Sequence, residues 1–409
     1  MGHSNSVFAQ LQQFLPYSAF QSIISKYNAN YYYKRFTCKN HLMVMLYAQL
    51  TGKESLRDIE QGLNLRDNKL YHLGIHSFAR SSISRANSDR SYKIFEDLFH
   101  ALLSRCNELS LPHYRTKFRF KNSIYAIDGS NIDLCLSLFP WSNYGNLKGA
   151  IKIHPLLNLK SQTPEFMVID EGRKNDLTVF KENNYSIISK LRDSSKNSNS
   201  ILVMDRGYLD YSLFKELDDN DIIFVSRSKK PFFYKTLGQH EEQRIKGSIV
   251  NDEIIELTGR IGKKSYPGKL RRIEFFDKKN NKTLEFITNN FEFSPRTIAQ
   301  IYRARWDIEL FFKWIKQNLK IKTFFGTSKN AVMTQIWIAM IAYLLLSYIK
   351  YQAKFNRSLL EITRIIKESL FENIHLIEVI NLKSINLRQK IQDIERNQLE
   401  LFDYRLIYR

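Results

Sequence analysis

Two aspartates and one patterned segment carry most of the chemistry that this sequence can offer. Asp128 closes the apolar run Ser123–Asp128 (SIYAID), and Asp205 closes Ser200–Asp205 (SILVMD). Short apolar runs bounded by glycine read as buried strands. The patterned segment, Tyr302–Lys320 (YRARWDIELFFKWIKQNLK), reads as a helix. At about 100° per residue, Tyr302, Arg305, Glu309 and Lys316 share one stripe roughly 60° wide. Lys313 and Lys320 join its edge, while Ile308, Phe311, Ile315 and Leu319 form a separate apolar arc. A lone carboxylate among a phenol and several cations suits a metal ligand beside bound phosphates. A solvated face with i,i+4 ion pairs has the same periodicity, so the stripe alone does not decide.

The aspartates add the missing constraint. Ligands of open α/β sheets bind outside the carboxyl ends of the strands. If the two strands are neighbours, Asp128 and Asp205 meet there, and Glu309 reaches them from a helix packed across the sheet. Three hard oxygen ligands suit Mg²⁺ or Mn²⁺. Two such ions would activate a nucleophile and stabilise the leaving oxygen of an in-line phosphoryl transfer. Arg305, Lys316 and Arg206 would steady the phosphates, and the Tyr302 hydroxyl would orient one. One strand-end Asp is usually a turn former; the joint pattern is what points to a site.

The elements that must position these groups follow from the period. Residues 1 to about 115 read as helical, with a buried helix at His41–Leu50 and an amphipathic one at Ser55–Leu63. The Ser/Arg/Asn-rich stretch Ser81–Arg90 reads as a turn before the helix Tyr92–Leu103. That suggests a helix-turn-helix-like DNA module, with a capped bundle as the alternative. Near residue 118 the period shortens. Gly129-Ser130 is expected to turn the chain, so that Asn131–Leu136 returns as a hairpin strand, followed by strands at Ala150–Leu159 and Glu165–Ile169. A helix is expected over Asp176–Leu191, another over Tyr211–Leu217, and a strand over Asp221–Ser226. Residues 228–293 read as an inserted β-rich subdomain. The resulting expectation is a mixed α/β sheet flanked by helices, with a β-rich insertion and an N-terminal all-helical domain. The boundaries are 1–117, 118–350 (insertion 228–293) and a C-terminal helical region, 351–409.

Composition bounds the partners. The net charge is +21 and the pI near 9.6, spread along the chain. This points to a polyanion, most simply nucleic acid. With 22 Tyr and 28 Phe, bases would find stacking partners. Cys38, Cys106 and Cys135 are isolated, which argues for a reducing compartment and against a zinc site or disulfide framework. No secretory signal is read near the start. Ala331–Ile349 is apolar, but its unbroken core, Ile336–Leu346, is shorter than the ~20 residues of a span; a buried core helix is expected, with no membrane partner.

These residues resemble the DDE transposases of the insertion-sequence-four (IS-four) family, which have an RNase H-like core. The likeness rests on Asp128 in AIDGS, Asp205 in VMDRGY and the family signature Y-(2)-R-(3)-E-(6)-K, met by Tyr302, Arg305, Glu309 and Lys316. Thr288-Asn289-Asn290 and Gly326-Thr327-Ser328 flank it, and the likeness spans roughly residues 120–350. It implies a bacterial, cytoplasmic, nucleoid-associated enzyme that binds the terminal inverted repeats of its element. Such an enzyme nicks them, in relatives through a DNA hairpin, and joins the 3′ hydroxyls to target DNA as a homodimer in a synaptic complex. Asp128, Asp205 and Glu309 would hold two Mg²⁺ or Mn²⁺ ions, and Tyr302, Arg305 and Lys316 would contact double-stranded DNA, with Arg206, Lys313 and Lys320 nearby. Some relatives stack a flipped base on a Trp in the insertion. This insertion has none, which leaves Trp306, Phe232, Phe233 or Tyr234 for that task. Two other readings share the core: a non-catalytic, domesticated DNA-binding regulator, and an RNase H-like nuclease without strand transfer.

Overall fold

The computed structural model describes residues 5–109, 118, 120–144, 148–170, 172–193, 199–229, 232–240, 248–321, 323–353 and 358–381. The chain opens with helices α1 (Val7–Gln13), α2 (Tyr17–Lys26), α3 (Cys38–Thr51), α4 (Leu56–Asn64), α5 (Asp67–Leu70), α6 (Arg80–Asp89) and α7 (Lys93–Leu109). Strands β1 (Ile124–Ile127), β2 (Ser130–Leu134), β3 (Asn143–Tyr144), β4 (Lys148–Asn158) and β5 (Thr163–Asp170) follow. Next come α8 (Asp176–Glu182), α9 (Asn184–Asp193), β6 (Ile201–Met204), α10 (Tyr211–Asp219) and β7 (Ile223–Arg227). The insertion supplies β8 (Tyr234–Gln239), β9 (Ile249–Leu257), α11 (Arg260–Ser265), β10 (Lys269–Asp277) and β11 (Lys282–Thr288). Helices α12 (Pro295–Ala304), α13 (Trp306–Asn318), α14 (Lys329–Gln352), α15 (Leu359–Ser369) and α16 (Leu376–Asn381) complete the described chain. It forms two compact units, Met1–Ser110 with Asn330–Arg409, and Leu111–Lys329.

The helical unit is built on helices that are apolar all round, which only burial on every side can satisfy. In α3, Leu42 to Leu50 are buried without a break, and in α14 so are Ala331 to Leu346. The Thr37 hydroxyl caps α3 by accepting from the Asn40 N–H, and Gly52, at φ 70°, ends it in a conformation that favours glycine. Helix α14 is long and apolar enough to cross a membrane, but most of it is buried in the protein. Trp337 packs on Phe99 of α7 at 5.3 Å, and Asn330 donates to the carbonyls of Asn87 and Arg90. Sequence reading assigned this helix to the sheet domain; it groups with the N-terminal helices. A helix with no polar face carries no sign of which neighbours will cover it. Ser81–Arg90 also differs from expectation. It is helix α6 itself, and the link to α7 is the short Arg90–Tyr92 segment. Residues 382–409 of the expected C-terminal helices lie outside the described residues.

In the second unit one sheet of 11 strands runs in the order β2-β4-β1-β6-β7-β11-β10-β9-β8, with β3 and β5 also paired to β4. Strands β1, β6 and β7 are parallel, whereas β4 is antiparallel to β1 and β5. This is the expected mixed sheet. Tyr125, Ile127, Leu202, Met204 and Phe224 point to one face and pack with Phe180, Ile187, Leu191, Leu213, Phe214 and Leu217 of α8–α10. Burying each such side chain contributes about 1.5–3 kcal/mol. Helix α12 packs on β6 and β7. The expected helix 176–191 is two, α8 and α9, broken at Asn183.

The strands around Asp128 correct the sequence reading. Strands β1 and β2 do not form a hairpin. Ile127 pairs with Leu156 and Ser130 with Ile153, so both strands run along β4 in one register, interrupted only at Asp128 and Gly129. The residue of β4 opposite Asp128 in that register is Pro155, which has no N–H to give to the ladder. Pairing on the other edge of β4 continues at Pro155, opposite Met167. The insertion is β-rich as expected, but its strands extend the same sheet, β11 pairing antiparallel with β7.

Arg271 of β10 ties this extension to the segment that leads into α12. It is 1% exposed, forks onto Asp252 at 2.8 and 2.7 Å, and donates to the Phe293 carbonyl at 2.6 Å and to that of Asn290 at 3.3 Å. Arg271→Ala strands a buried carboxylate and two carbonyls. Unfolding free energy in urea is expected to fall by about 3–5 kcal/mol, with a large part restored by Arg271→Met with Asp252→Leu. A loss below ~1 kcal/mol would refute the role given to this fork.

Candidate active site

The site starts from strand register. Strands β1 and β6 are parallel, with Ala126 opposite Val203. Two residues further on, Asp128 stands beside Asp205 at the carboxyl ends of the strands. Side chains alternate between faces of a sheet. Both carboxylates therefore share the parity of Ala126 and Val203, away from α8–α10 and toward the face on which α12 packs.

Local geometry fixes each carboxylate. The Gly129 N–H donates to Asp128 Oδ1 at 2.9 Å. A Cβ at Gly129 would lie 2.0 Å from Asp176 Oδ1 and 2.8 Å from Lys152 Cε, so a side chain here would displace that ion pair. Asp205 caps the single turn Arg206–Tyr208, accepting from the Gly207 N–H at 2.6 Å. The Ser226 hydroxyl of β7 donates to the Asp205 carbonyl at 3.3 Å.

The third carboxylate arrives on α13. The expected continuous helix Tyr302–Lys320 is two helices that meet at Arg305. The Arg305 N–H bonds to the Tyr302 carbonyl and the Ile308 N–H to the Arg305 carbonyl, three-residue spacings that tighten the turn there. Ile308, Phe311, Ile315 and Leu319 are buried, as the apolar arc requires. Arg305, 12% exposed at its side chain, donates from Nη1 to Asp128 Oδ2 at 3.0 Å, and from Nη1 and Nη2 to Glu309 Oε1 at 3.4 Å. One guanidinium thus joins the strand-end Asp to the helical Glu.

Electrostatics report the same clustering. Burial, which Glu309 and Asp205 reinforce, pushes the Asp128 carboxyl up to about 6 against the opposing pull of Arg305 and the Gly129 N–H. Burial would lower the pKa of Arg305, but Tyr302, Asp128, Glu309 and Asp205 together hold it above its ordinary value. Burial also raises the Tyr302 phenol, Asp205 adding to this while Arg305 and Arg227 oppose it. Tyr302 is buried, with its ring 4.8 Å from Phe286 of β11. The structure therefore brings Asp128, Asp205, Arg305, Glu309 and Tyr302 together. Arg206 and Lys313 are exposed, Lys316 and Lys320 are partly so, and Trp306 is 61% exposed.

Several neighbours escaped sequence reasoning. Buried His154 lies 3.3 Å from Asp176 Oδ1 and 3.6 Å from Asp170 Oδ2, and Lys152 pairs with Asp176 at 2.7 Å. Tyr208, fully buried against Phe180, faces the charges of Asp176, Asp128 and Asp205. Gln162, at φ 59°, donates to Asp307 in the first turn of α13 at 3.0 Å. Lys152 and His154 alternate with the apolar Ile151 and Ile153 along β4, which was a legible signal; no local pattern marked Gln162.

The carboxylates fit a divalent ion in donor chemistry, as hard oxygen ligands at strand ends and on a helix. Among the described residues, no three His, Cys, Asp or Glu side chains stand close enough to hold one ion in this arrangement. Arg305 bridges Asp128 and Glu309 instead.

A family model described as the transposase DDE domain matches residues 119–345. The chain belongs to the DDE transposase family. Enzymes of this family catalyse DNA cleavage and strand transfer, and generally depend on divalent metal. A second model, a domain of unknown function (DUF4372), matches residues 3–76 of this DDE transposase. A probable transposase for insertion sequence element IS5377 of Geobacillus stearothermophilus is 27% identical over 69% of this chain and 70% of its own. A Synechocystis protein named as a transposase for insertion sequence element IS4SA is 25% identical over 79% of this chain and 85% of its own. Among solved structures, the piggyBac transposase synaptic complex with hairpin DNA matches 95% of this chain and 85% of that one, at 12% identity and a TM-score of 0.47. This last likeness carries no further conclusion.

The His154 cluster makes stability depend on pH. Burial would lower the pKa of His154, but Asp170 and Asp176 outweigh it and raise it above 6.5. Burial would raise both aspartates, yet His154, with the Gly172 N–H at Asp170 and Lys152 at Asp176, holds them below 3.8. The histidine contribution is full below pH 6.5 and is lost as pH rises through the higher folded value. The aspartate contribution is full above pH 3.8 and is lost as pH falls through the lower folded values. Unfolding free energy is expected to decline on the alkaline side in wild type and to be flatter there in His154→Gln. Parallel curves for the two proteins above pH 6.5 would count against this assignment.

Proposed function

We propose that this chain is the transposase of a bacterial insertion sequence, and that Asp128, Asp205 and Glu309 are its catalytic carboxylates. The observation that carries the reading is the hydrogen bond from Arg305 to Asp128, made by a guanidinium that also reaches Glu309. It joins residues 177 apart in sequence, and parallel register brings Asp205 to the same place. The three carboxylates would hold one or two Mg²⁺ or Mn²⁺ ions, which, when bound, supply an activated hydroxyl nucleophile and stabilise the leaving oxygen.

The remaining work falls to the chain's own side chains. Arg305 turns a fork of donors toward the carboxylates and a phosphate between them, a geometry that a lysine cannot reproduce. Tyr302, with its ring packed on Phe286, offers its phenol oxygen to a phosphate beside Asp205. Lys316, Lys313, Lys320 and Arg206 neutralise the DNA backbone, and exposed Trp306 offers a face on which a base can stack. The partners are double-stranded DNA, both the terminal inverted repeats and the target, and a second copy of the chain in a synaptic complex. A cytoplasmic, nucleoid-associated location follows from this reading.

The test is cleavage of a duplex carrying the inverted repeat that flanks the gene, in the presence of Mg²⁺. Asp128→Asn, Asp205→Asn and Glu309→Gln are each expected to reduce nicking and joining to background while leaving duplex affinity within a few-fold of wild type. Arg305→Lys is expected to slow nicking by about 10²-fold. Undiminished nicking by any of the three carboxylate variants would sink the site assignment. Nicking without joining would favour a plain nuclease, and binding without nicking by wild type a DNA-binding regulator.

A further inference from the structure

Residues 1–53 carry Lys26, Lys34, Arg35, Lys39 and Lys53, and no Asp or Glu. Part of this charge sits on the connection between α2 and α3, within the segment matched by the domain of unknown function. There Tyr31 and Tyr32 are 75% and 86% exposed, with their rings 4.6 Å apart and nearly perpendicular, and Lys34 and Arg35 beside them are exposed too.

This connection is held firmly. Arg90, 3% exposed, donates to the carbonyls of Ala29 at 3.1 Å, Phe36 at 2.8 Å and Thr37 at 3.5 Å. Its guanidinium also stacks on the Tyr33 ring at 4.2 Å. Asn30 Oδ1 accepts from the Cys38 N–H at 2.7 Å, and Asn40 donates to the Arg35 carbonyl at 2.9 Å. Tyr33, stacked on Arg90, lies in the field of Arg85 and Asp89 of α6, both of them exposed. Asp89 is the acidic group there. Among the described residues Lys34, Arg35 and Arg85 make no ion pair, whereas Lys26 is paired with Asp97.

Two aromatic rings held out in water among cations suit a ligand with regularly spaced anions and flat sugar faces. The centres of protein–protein interfaces are depleted in lysine and more apolar, whereas this patch is built of tyrosine, asparagine and cations, with Asp89 beside it. We propose that Asn28–Arg35, together with Arg85, is a duplex-DNA contact surface of the helical unit. Tyr31 and Tyr32 give hydroxyls to phosphate oxygens and ring faces to deoxyribose, and Lys34, Arg35 and Arg85 neutralise phosphates. This rests on the reading of the chain as an enzyme that acts on DNA, and it gives the N-terminal segment a place in that work.

Binding can be tested apart from cleavage. Full-length protein in EDTA is titrated by fluorescence anisotropy against a labelled 30-base-pair duplex of the element's end, a scrambled duplex and an RNA hairpin, over a range of salt. Lys34→Gln/Arg35→Gln/Arg85→Gln is expected to weaken both duplexes about 10- to 100-fold near 0.15 M salt. The slope of log affinity against log salt should fall by about 2–3, at ~0.9 per lost phosphate contact. Tyr31→Ala/Tyr32→Ala is expected to weaken binding about tenfold with little change in slope. Because these side chains are exposed, melting temperature should stay unchanged in both variants. Wild-type affinity and slope in both variants overturn the proposal while leaving the catalytic reading intact. An effect confined to the RNA hairpin also overturns it, and a wild-type protein that binds no duplex removes the catalytic reading as well.

Discussion

Asp128 and Asp205 end adjacent parallel strands, so two like charges face each other at the rim of an apolar core, where water screens them poorly. Such a pair persists only with a cation in reach. In this chain the cation is Arg305, and much of the second unit can be understood as the scaffold that delivers it. Its guanidinium also reaches Glu309, one helical turn further on, so a single side chain holds the carboxylate of β1 against that of α13. The burial that makes the pair costly also pushes the Asp128 carboxyl up to about 6, against the pull of Arg305.

Delivery depends on features far from the carboxylates. Pro155 withholds one N–H from the ladder of β4, and the strand opposite it is interrupted at Asp128 and Gly129, where a side chain at Gly129 would strike Asp176. On the other side of the sheet, Arg271 links the extended strands to the backbone just before α12. Gln162, in the turn between β4 and β5, holds the first turn of α13 through Asp307. The insertion is therefore part of the sheet, and its last strand supplies Phe286, on which Tyr302 rests.

The helical unit follows another logic. Helices α3 and α14 have no polar face, and a core forms around them. Arg90 gives its donors to the backbone of the α2–α3 connection, on which Tyr31, Tyr32, Lys34 and Arg35 stay exposed. Buried and exposed cations thus have different tasks here: the first set the shape of a loop, the second are left facing solvent.

The sequence by itself determined the chemical inventory and much of the architecture. Apolar runs ending in Asp, the spacing from Tyr302 to Lys316 and the apolar arc of Ile308, Phe311, Ile315 and Leu319 were legible because local periodicity encodes burial. The mixed sheet, the β-rich insertion and the helical N-terminus followed from changes of period along the chain. Tertiary structure alone decided the rest. Which strand lies beside which depends on long-range pairing, so only the fold brought Asp128 next to Asp205, and only the fold ran β2 on along β4 where a Gly-Ser pair had suggested a hairpin. The break at Arg305, the attachment of α14 to the helical unit and the contacts of Gln162, Arg271 and Tyr208 share that origin. Each is set by a partner distant in sequence, and a local pattern records that a residue is buried or charged without recording what it meets.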